Sequence, residues 1–182
     1  QDAEVALIEF STEARLVNNY TTVNQTYINN IDGYFNGVAY NGHTYSPVGG
    51  TNWHGAMIAG DALASADIVM CFTDGEPTIW QNGTAEPDCG NAAATETPEI
   101  VNPVKIANKL KSEGTHMFML GVGTGIVELN LQRMSGFVEY ENGVNTLATS
   151  DYSIGNFEDL AEDLQSFILE LCRTTIVIEK DV

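Results

Sequence analysis

Positive charge is nearly missing from this chain. Seven Lys and Arg stand against 25 Asp and Glu in 182 residues, a formal net charge of −18. From Gln1 to Pro103 the only Lys or Arg is Arg15. Such a surface repels nucleic-acid phosphates and anionic headgroups, so no nucleic acid is expected as a partner. Cations, cationic surfaces and neutral ligands fit it, and acidity also serves plain solubility. Long apolar runs are missing too. No stretch reaches the roughly 18 residues of a membrane-spanning helix, so no direct membrane insertion is expected, and no signal peptide is visible. Metal-binding cysteine pairs are absent. The three histidines, His43, His54 and His116, lack zinc-ligand spacing, and there is no Cys-x-x-Cys. There is no Gly-Lys-Thr/Ser phosphate loop, and "GVGTG" (Gly121 to Gly125) does not have the dinucleotide fingerprint's spacing. No local Ser-His-Asp or Cys-His motif is present, which points away from an enzyme.

What is present suits one globular domain with a real core: 43% of the residues are hydrophobic. Cysteines number three, an odd count. Cys71 lies inside an apolar run and reads as a buried small hydrophobe. Cys89, in a loop, and Cys172, at the end of an amphipathic stretch, are disulfide candidates in an extracellular protein. Three Asn-x-Thr triplets, at Asn19, Asn24 and Asn82, are glycosylation candidates if the protein is secreted by a eukaryote.

The order of elements comes from hydrophobic period and punctuation. "EVALIEF" (Glu4 to Phe10) reads as a strand buried on both faces, and "EARLV" as an antiparallel edge strand beside it. Asn18 to Ser46 shows no helical period and reads as a long surface excursion, with short hairpins at most. Pro47, Gly49 and Gly50 make a turn. Ala56, Met57, Ala59, Gly60, Leu63 and Ala64 form a small-residue helical stripe able to approach a sheet. "IVMCF" (Ile68 to Phe72) is a strand, and Glu76 to Thr97 is a polar loop. "NPVKIANKLKSEGT" is a helix with Asn102 as N-cap, Pro103 at its first position, Gly114 as its stop, and Lys109 and Lys111 in its last turn. "HMFMLGVG" (His116 to Gly123) is a further strand and "GIVELNLQRMS" a short helix. "NFEDLAEDLQSFILELC" is an amphipathic helix, and "TTIVIEKDV" alternates like a strand.

Strands alternating with helices predict an α/β fold: a doubly wound, mostly parallel sheet with one antiparallel edge strand and helices on both faces. Ligands of such sheets sit beyond the carboxyl ends of the strands. That rule selects Ser11-Thr12, Thr73-Asp74-Gly75-Glu76 and Gly121 to Gly125, with Gly49-Gly50-Thr51 at the same edge. Asp74 and Thr51 are hard oxygen donors suited to Mg²⁺, Mn²⁺ or Ca²⁺ with water completing the shell. The plainer reading is that Thr73-Asp74-Gly75 is a turn and Thr51 a cap-like residue. Ser11, Asn52, Trp53, Gly75 and Glu76 are candidate ligand contacts, with core packing the equal alternative for Trp53.

The series "VALIEFST", "SPVGGTNWHGAM", "ADIVMCFTDGEP", "KLKSEGTHMFMLGVG" and "FEDLAEDL", in that order, resembles the von Willebrand factor A domain from about Ala3 to Cys172. The resemblance implies a metal-ion-dependent adhesion site. In that family it is built from an Asp-x-Ser-x-Ser loop after the first strand, then a Thr, which matches Thr51, and an Asp, which matches Asp74. It implies a divalent cation, Mg²⁺ first, whose open position takes an acidic group of a protein or glycan ligand. The ion would be the local positive charge that lets an acidic protein hold an acidic group.

One departure is large, since no Asp-x-Ser-x-Ser occurs in this chain. "EVALIEF" resembles the family's second strand, so the resemblance implies an N-terminal portion of roughly 30 or more residues, the size of one βα unit. That portion would carry the remaining ligands and a partner for Cys172. The alternatives are a cleaved and retained piece, or a divergent domain without the site. The expectation is therefore a von Willebrand-like domain over 1–173 and a linker or first strand of a following module over 174–182. Its function would be extracellular or cell-surface adhesion through a bound metal, in a larger multidomain chain. The rivals are a structural building block of a surface filament or matrix with a vestigial site, and a non-catalytic module beside an enzyme.

Overall fold

The structure is a computed structural model, and it describes residues 3–46, 49–63, 66–80, 84–85, 97–141 and 143–156. In chain order the elements are β1 (Glu4–Phe10), β2 (Ala14–Thr22), α1 (Gln25–Phe35), α2 (Trp53–Asp61), β3 (Ile68–Thr73), β4 (Ile79–Trp80), β5 (Thr84–Ala85), α3 (Pro98–Ser112), β6 (His116–Val122), α4 (Glu128–Met134) and β7 (Tyr152–Gly155). A 3₁₀ turn, Leu147–Thr149, precedes β7. The fold is mixed α/β, with a parallel three-stranded sheet and an antiparallel strand pair. Two compact units are present. One holds the residues up to Asp67 and those from Glu76 to Thr115; the other holds Ile68–Gly75 and the chain from His116.

In the first unit β1 and β2 pair antiparallel, with Ile8 opposite Leu16 and Glu9 opposite Arg15. Helix α2 packs against this pair and against α3. A small residue outside the expected stripe permits the approach: a Cβ added at Gly55 would lie 3.0 Å from the Ala14 Cβ, while α2 ends at Asp61, so Leu63 of that stripe lies past the helix and Ala64 outside the described residues. Trp53, Ala56 and Met57 of α2 and Ile100, Ala107 and Leu110 of α3 are buried. Strand β1 departs from its expected double burial, for none of its residues is buried. Among the described residues its sheet holds only one other strand, β2.

The excursion read as lacking a helix contains helix α1, and β2 runs well into it, to Thr22, while an antiparallel bridge of Tyr40 with His43 agrees with the short hairpins allowed there. The Asn24 side chain accepts the Tyr27 N–H at 2.9 Å and caps the helix. Tyr27 and Tyr34, two turns apart on one face, are its buried residues. Asparagine-rich composition hid this, because Asn is a poor helix former except at a cap. Helix α3 also begins earlier than expected. Pro98, not Pro103, takes the first helical position, Thr97 is the N-cap, and Asn102 and Pro103 lie inside the helix. A proline at the first position forfeits no intrahelical hydrogen bond, so Thr97-Pro98-Glu99 is the better start. The helix stops at Gly114 as expected, with a φ of +100°.

In the second unit β3, β6 and β7 form a parallel sheet in the order β3-β6-β7, with Thr73 opposite Gly121 and Val122 opposite Gly155. Strand β7 has no sequence expectation behind it. It is four residues long, too short for periodicity to register. The core gathers Phe118, Leu120, Val122, Tyr140 and Leu147, with Ile68 and Met70 against it. Cys71 is buried, and that burial pushes its thiol up to about 12, as suits a side chain acting as a hydrophobe. The region Glu76 to Thr97, expected as loop, includes a short antiparallel pairing of β4 with β5. The expected helix from Asn156 onward and the strand-like tail 174–182 lie outside the described residues, apart from Asn156 itself.

Candidate functional site

Hydrogen bonds between main chain and side chains tie down the loop before α2. Thr12 Oγ1 accepts the Gly50 N–H at 3.0 Å, and Thr12 O accepts Asn52 Nδ2 at 3.0 Å. Gly49 has a φ of +107°, and a Cβ there would lie 2.0 Å from Thr12 Oγ1, so only glycine fits. The Thr51 N–H donates to Thr78 Oγ1 at 3.0 Å, and the Thr51 carbonyl accepts from Thr78 at 2.9 Å and Ile79 at 3.2 Å. The Thr51 main chain is thus held from both sides. Its half-buried side chain takes part in no hydrogen bond among the described residues.

At the end of β3, buried Thr73 donates Oγ1–H to the Gly75 carbonyl at 2.8 Å. This closes a turn over Asp74 and leaves that side chain exposed. The Asp74 carboxylate forms no ion pair or hydrogen bond among the described residues. A Cβ at Gly125, in the "GVGTG" segment, would lie 3.7 Å from the Asp74 carbonyl. The strand ends that topology selected in this unit are therefore neighbours. The turn expected at Thr73-Asp74-Gly75 is present, and it leaves the Asp74 carboxylate exposed.

A hydroxyl and a carboxylate are the donor chemistry that a hard divalent cation takes, and each of these two side chains, taken by itself, is uncommitted among the described residues. Thr51 belongs to the first unit and Asp74 to the second. Among the described residues there is no cluster of three or more His, Cys, Asp or Glu.

Two of the candidate contacts need correction. Asn52 is 3% exposed and spends its amide on structure, with Oδ1 accepting the Gly55 N–H at 2.8 Å as the α2 N-cap and Nδ2 on Thr12. Trp53 is 0% exposed, so it is core packing and not a ligand contact. Ser11 is half-buried and its N–H donates to the Glu13 carbonyl at 2.9 Å; its neighbour Thr12 is the residue that ties the loop down. Gly75 and Glu76 are half-buried. Asn19 and Asn24 are exposed. Asn82, Cys89 and Cys172 lie outside the described residues.

Sequence reading missed a polar cluster that steadies the chain leading to this loop. Glu9 of β1 accepts from Tyr34 of α1, from Arg15 Nε at 3.0 Å and Nη2 at 2.7 Å, and from the Ser46 N–H at 2.9 Å. Burial pushes the Glu9 carboxyl up; the donors Tyr34, Ser46 and Arg15 outweigh it and hold the group below its ordinary value. The available signal was Arg15, the lone Lys or Arg of the first 103 residues, facing a glutamate in an otherwise apolar strand. A second missed feature is Glu99, 0% exposed with both carboxylate oxygens unpartnered.

Comparison with known proteins adds to this geometry. No protein-family model matches the chain, and no curated protein does. Solved structures of proximal thread matrix protein 1 (PTMP1) from the mussel byssus do match. One crystal form is 18% identical, with a TM-score of 0.54, over 93% of this chain and 34% of that chain. Another structure of the same protein, described as having a zinc-occupied MIDAS motif, is 17% identical, with a TM-score of 0.55, over 93% and 35%. The present chain therefore spans about a third of the structures it resembles. At this identity the likeness shows the fold, and it is consistent with the von Willebrand A-like architecture expected from the sequence.

Proposed function

We propose that this chain is a non-catalytic module of an extracellular matrix or surface assembly that holds a divalent cation at Asp74. The observation that carries the reading is the Asp74 carboxylate, left exposed at the end of β3 by the Thr73–Gly75 turn and without a partner among the described residues. Resemblance assigns Thr51 as the second donor, and its uncommitted hydroxyl supports that assignment. Mg²⁺ is the first candidate, with Mn²⁺ or Ca²⁺ as alternatives, and the zinc-occupied motif of PTMP1 adds Zn²⁺ to the ions worth testing. When bound, the ion supplies a positive Lewis-acid centre in a protein of net charge −18. A protein or glycan partner bearing an acidic group would be recognised there, with other modules of a larger chain alongside. Among the described residues no helix is long and apolar enough to cross a membrane.

The likeness to a thread matrix protein favours a second reading, in which the module is a structural building block and its metal site is vestigial. Thermal unfolding separates the two. The intact protein is melted in EDTA and again with Mg²⁺, Mn²⁺, Ca²⁺ or Zn²⁺, beside Asp74→Ala and Thr51→Val. A cation bound only by the folded state, at about 100 times its dissociation constant, stabilises by about 2.7 kcal/mol. We expect that rise in the parent, its loss in Asp74→Ala and its weakening in Thr51→Val. A melting temperature indifferent to every ion would leave the structural reading in its place.

A further inference from the structure

Two Asn-x-Thr triplets, Asn19-Tyr20-Thr21 and Asn24-Gln25-Thr26, fall where β2 passes into α1, and neither middle residue is proline. Asparagine and threonine are common enough here for such triplets to arise by chance, so the sequence alone decides nothing. The structure adds three observations. Both asparagines are exposed. Neither Nδ2 donates a hydrogen bond among the described residues, while each Oδ1 is engaged: Asn19 accepts the Tyr20 N–H at 2.8 Å and Asn24 the Tyr27 N–H at 2.9 Å. And apolar side chains close to them in the chain are exposed: Tyr20, Val23 and Ile28 are 36%, 39% and 50% exposed.

We propose that Asn19 and Asn24 carry N-linked glycans, and that these glycans cover the apolar surface of β2 and α1. The co-reactant is a lipid-linked oligosaccharide diphosphate. A bond forms between C1 of its first sugar and the asparagine Nδ2, the bond from C1 to the diphosphate oxygen breaks, and the lipid diphosphate departs with the proton that the amide gives up. The linkage uses one N–H of Nδ2 and leaves Oδ1 in place. Asn24 therefore keeps its cap on α1 when modified, so the same residue can serve both the helix and the glycan. An exposed apolar patch needs a cover of some kind, and an uncharged hydrophilic one suits a chain whose acidity repels a second copy.

This inference rests on the extracellular reading above, but it fails separately, because cation-dependent melting does not require glycans. The test uses the protein as secreted by its own cells. Intact mass is measured before and after amidase deglycosylation in isotope-labelled water, followed by peptide mapping. We expect the label at Asn19 and Asn24. In secreted variants, Asn19→Gln and Asn24→Asp should each lose one glycan, and Asn24→Asp retains a capping side chain, so misfolding does not confuse the result. Unmodified Asn19 and Asn24 in the native protein overturn the proposal. Glycans present there, but with the deglycosylated protein as monodisperse as before, overturn the covering role.

Discussion

Strands β1 and β6 are nearly equal in apolar character, EVALIEF against HMFMLGV, and the molecule uses them in opposite ways. Every residue of β6 after His116 is buried, and none of β1 is. Strand β6 has β3 on one edge, β7 on the other and α4 against it. Among the described residues strand β1 pairs with β2 alone, and it is anchored through Glu9 by a helix tyrosine, an arginine and a loop amide. An apolar run marks a strand; the number of neighbours decides its burial. Where neighbours are fewer, hydrogen bonds to one charged side chain do part of the holding.

The contrast can be broken by substitution. Phe118→Ala in β6 should cost about 3–5 kcal/mol in denaturant unfolding, since the side chain is 0% exposed. Tyr34→Phe, which removes a hydrogen bond to the Glu9 carboxylate, should cost about 1.5–3 kcal/mol. Its effect also depends on pH. The Glu9 carboxyl is held below its ordinary value by Tyr34, Ser46 and Arg15, against the upward push of burial. A depressed carboxyl contributes stability that is present above its unfolded value and is lost as pH falls through its folded value. Acid should therefore loosen the first unit, and Glu9→Gln should flatten that acid limb while lowering stability at neutral pH; hydrogen exchange of β1 and β2 amides would show it. Ile8→Ala in β1, half exposed, should cost only about 1 kcal/mol, the share of an aliphatic side chain that burial leaves to lose. If Ile8→Ala and Phe118→Ala cost the same, β1 is buried in solution and the contrast fails.

Legibility of the fold followed the strength of local signals. Helix α2, strands β3 and β6 and the Gly114 stop were readable because small-residue stripes, apolar runs and a positive-φ glycine act within a few residues. Helix α1 was not, because its two buried tyrosines are diluted by asparagines and its cap does its work only once Tyr27 is in place. The places of Asp74, at the end of β3, and of Thr51, before α2, were readable from the strand end and a Gly-Gly turn. Thr12 and Thr78, which fix that loop, were not, since they lie 38 and 27 residues from the groups they bind and no local pattern joins them. Trp53 was left open between core and ligand, because an aromatic beside a Gly-rich turn has the same sequence signature in either place, and its burial decides for the core.

Composition and period, by themselves, determined an acidic α/β chain with apolar strands, a carboxylate at the end of β3 and a hydroxyl before α2. These follow from side-chain chemistry and from backbone preferences that operate over one turn or one strand. Only the tertiary structure decided which strands are buried, that Asn52 and Trp53 serve the frame, that Glu9 is tied from three sides, and that Asp74 faces outward. Each of those depends on residues brought together from distant positions in the chain, where burial and hydrogen-bond partners are set by the packing of neighbouring elements.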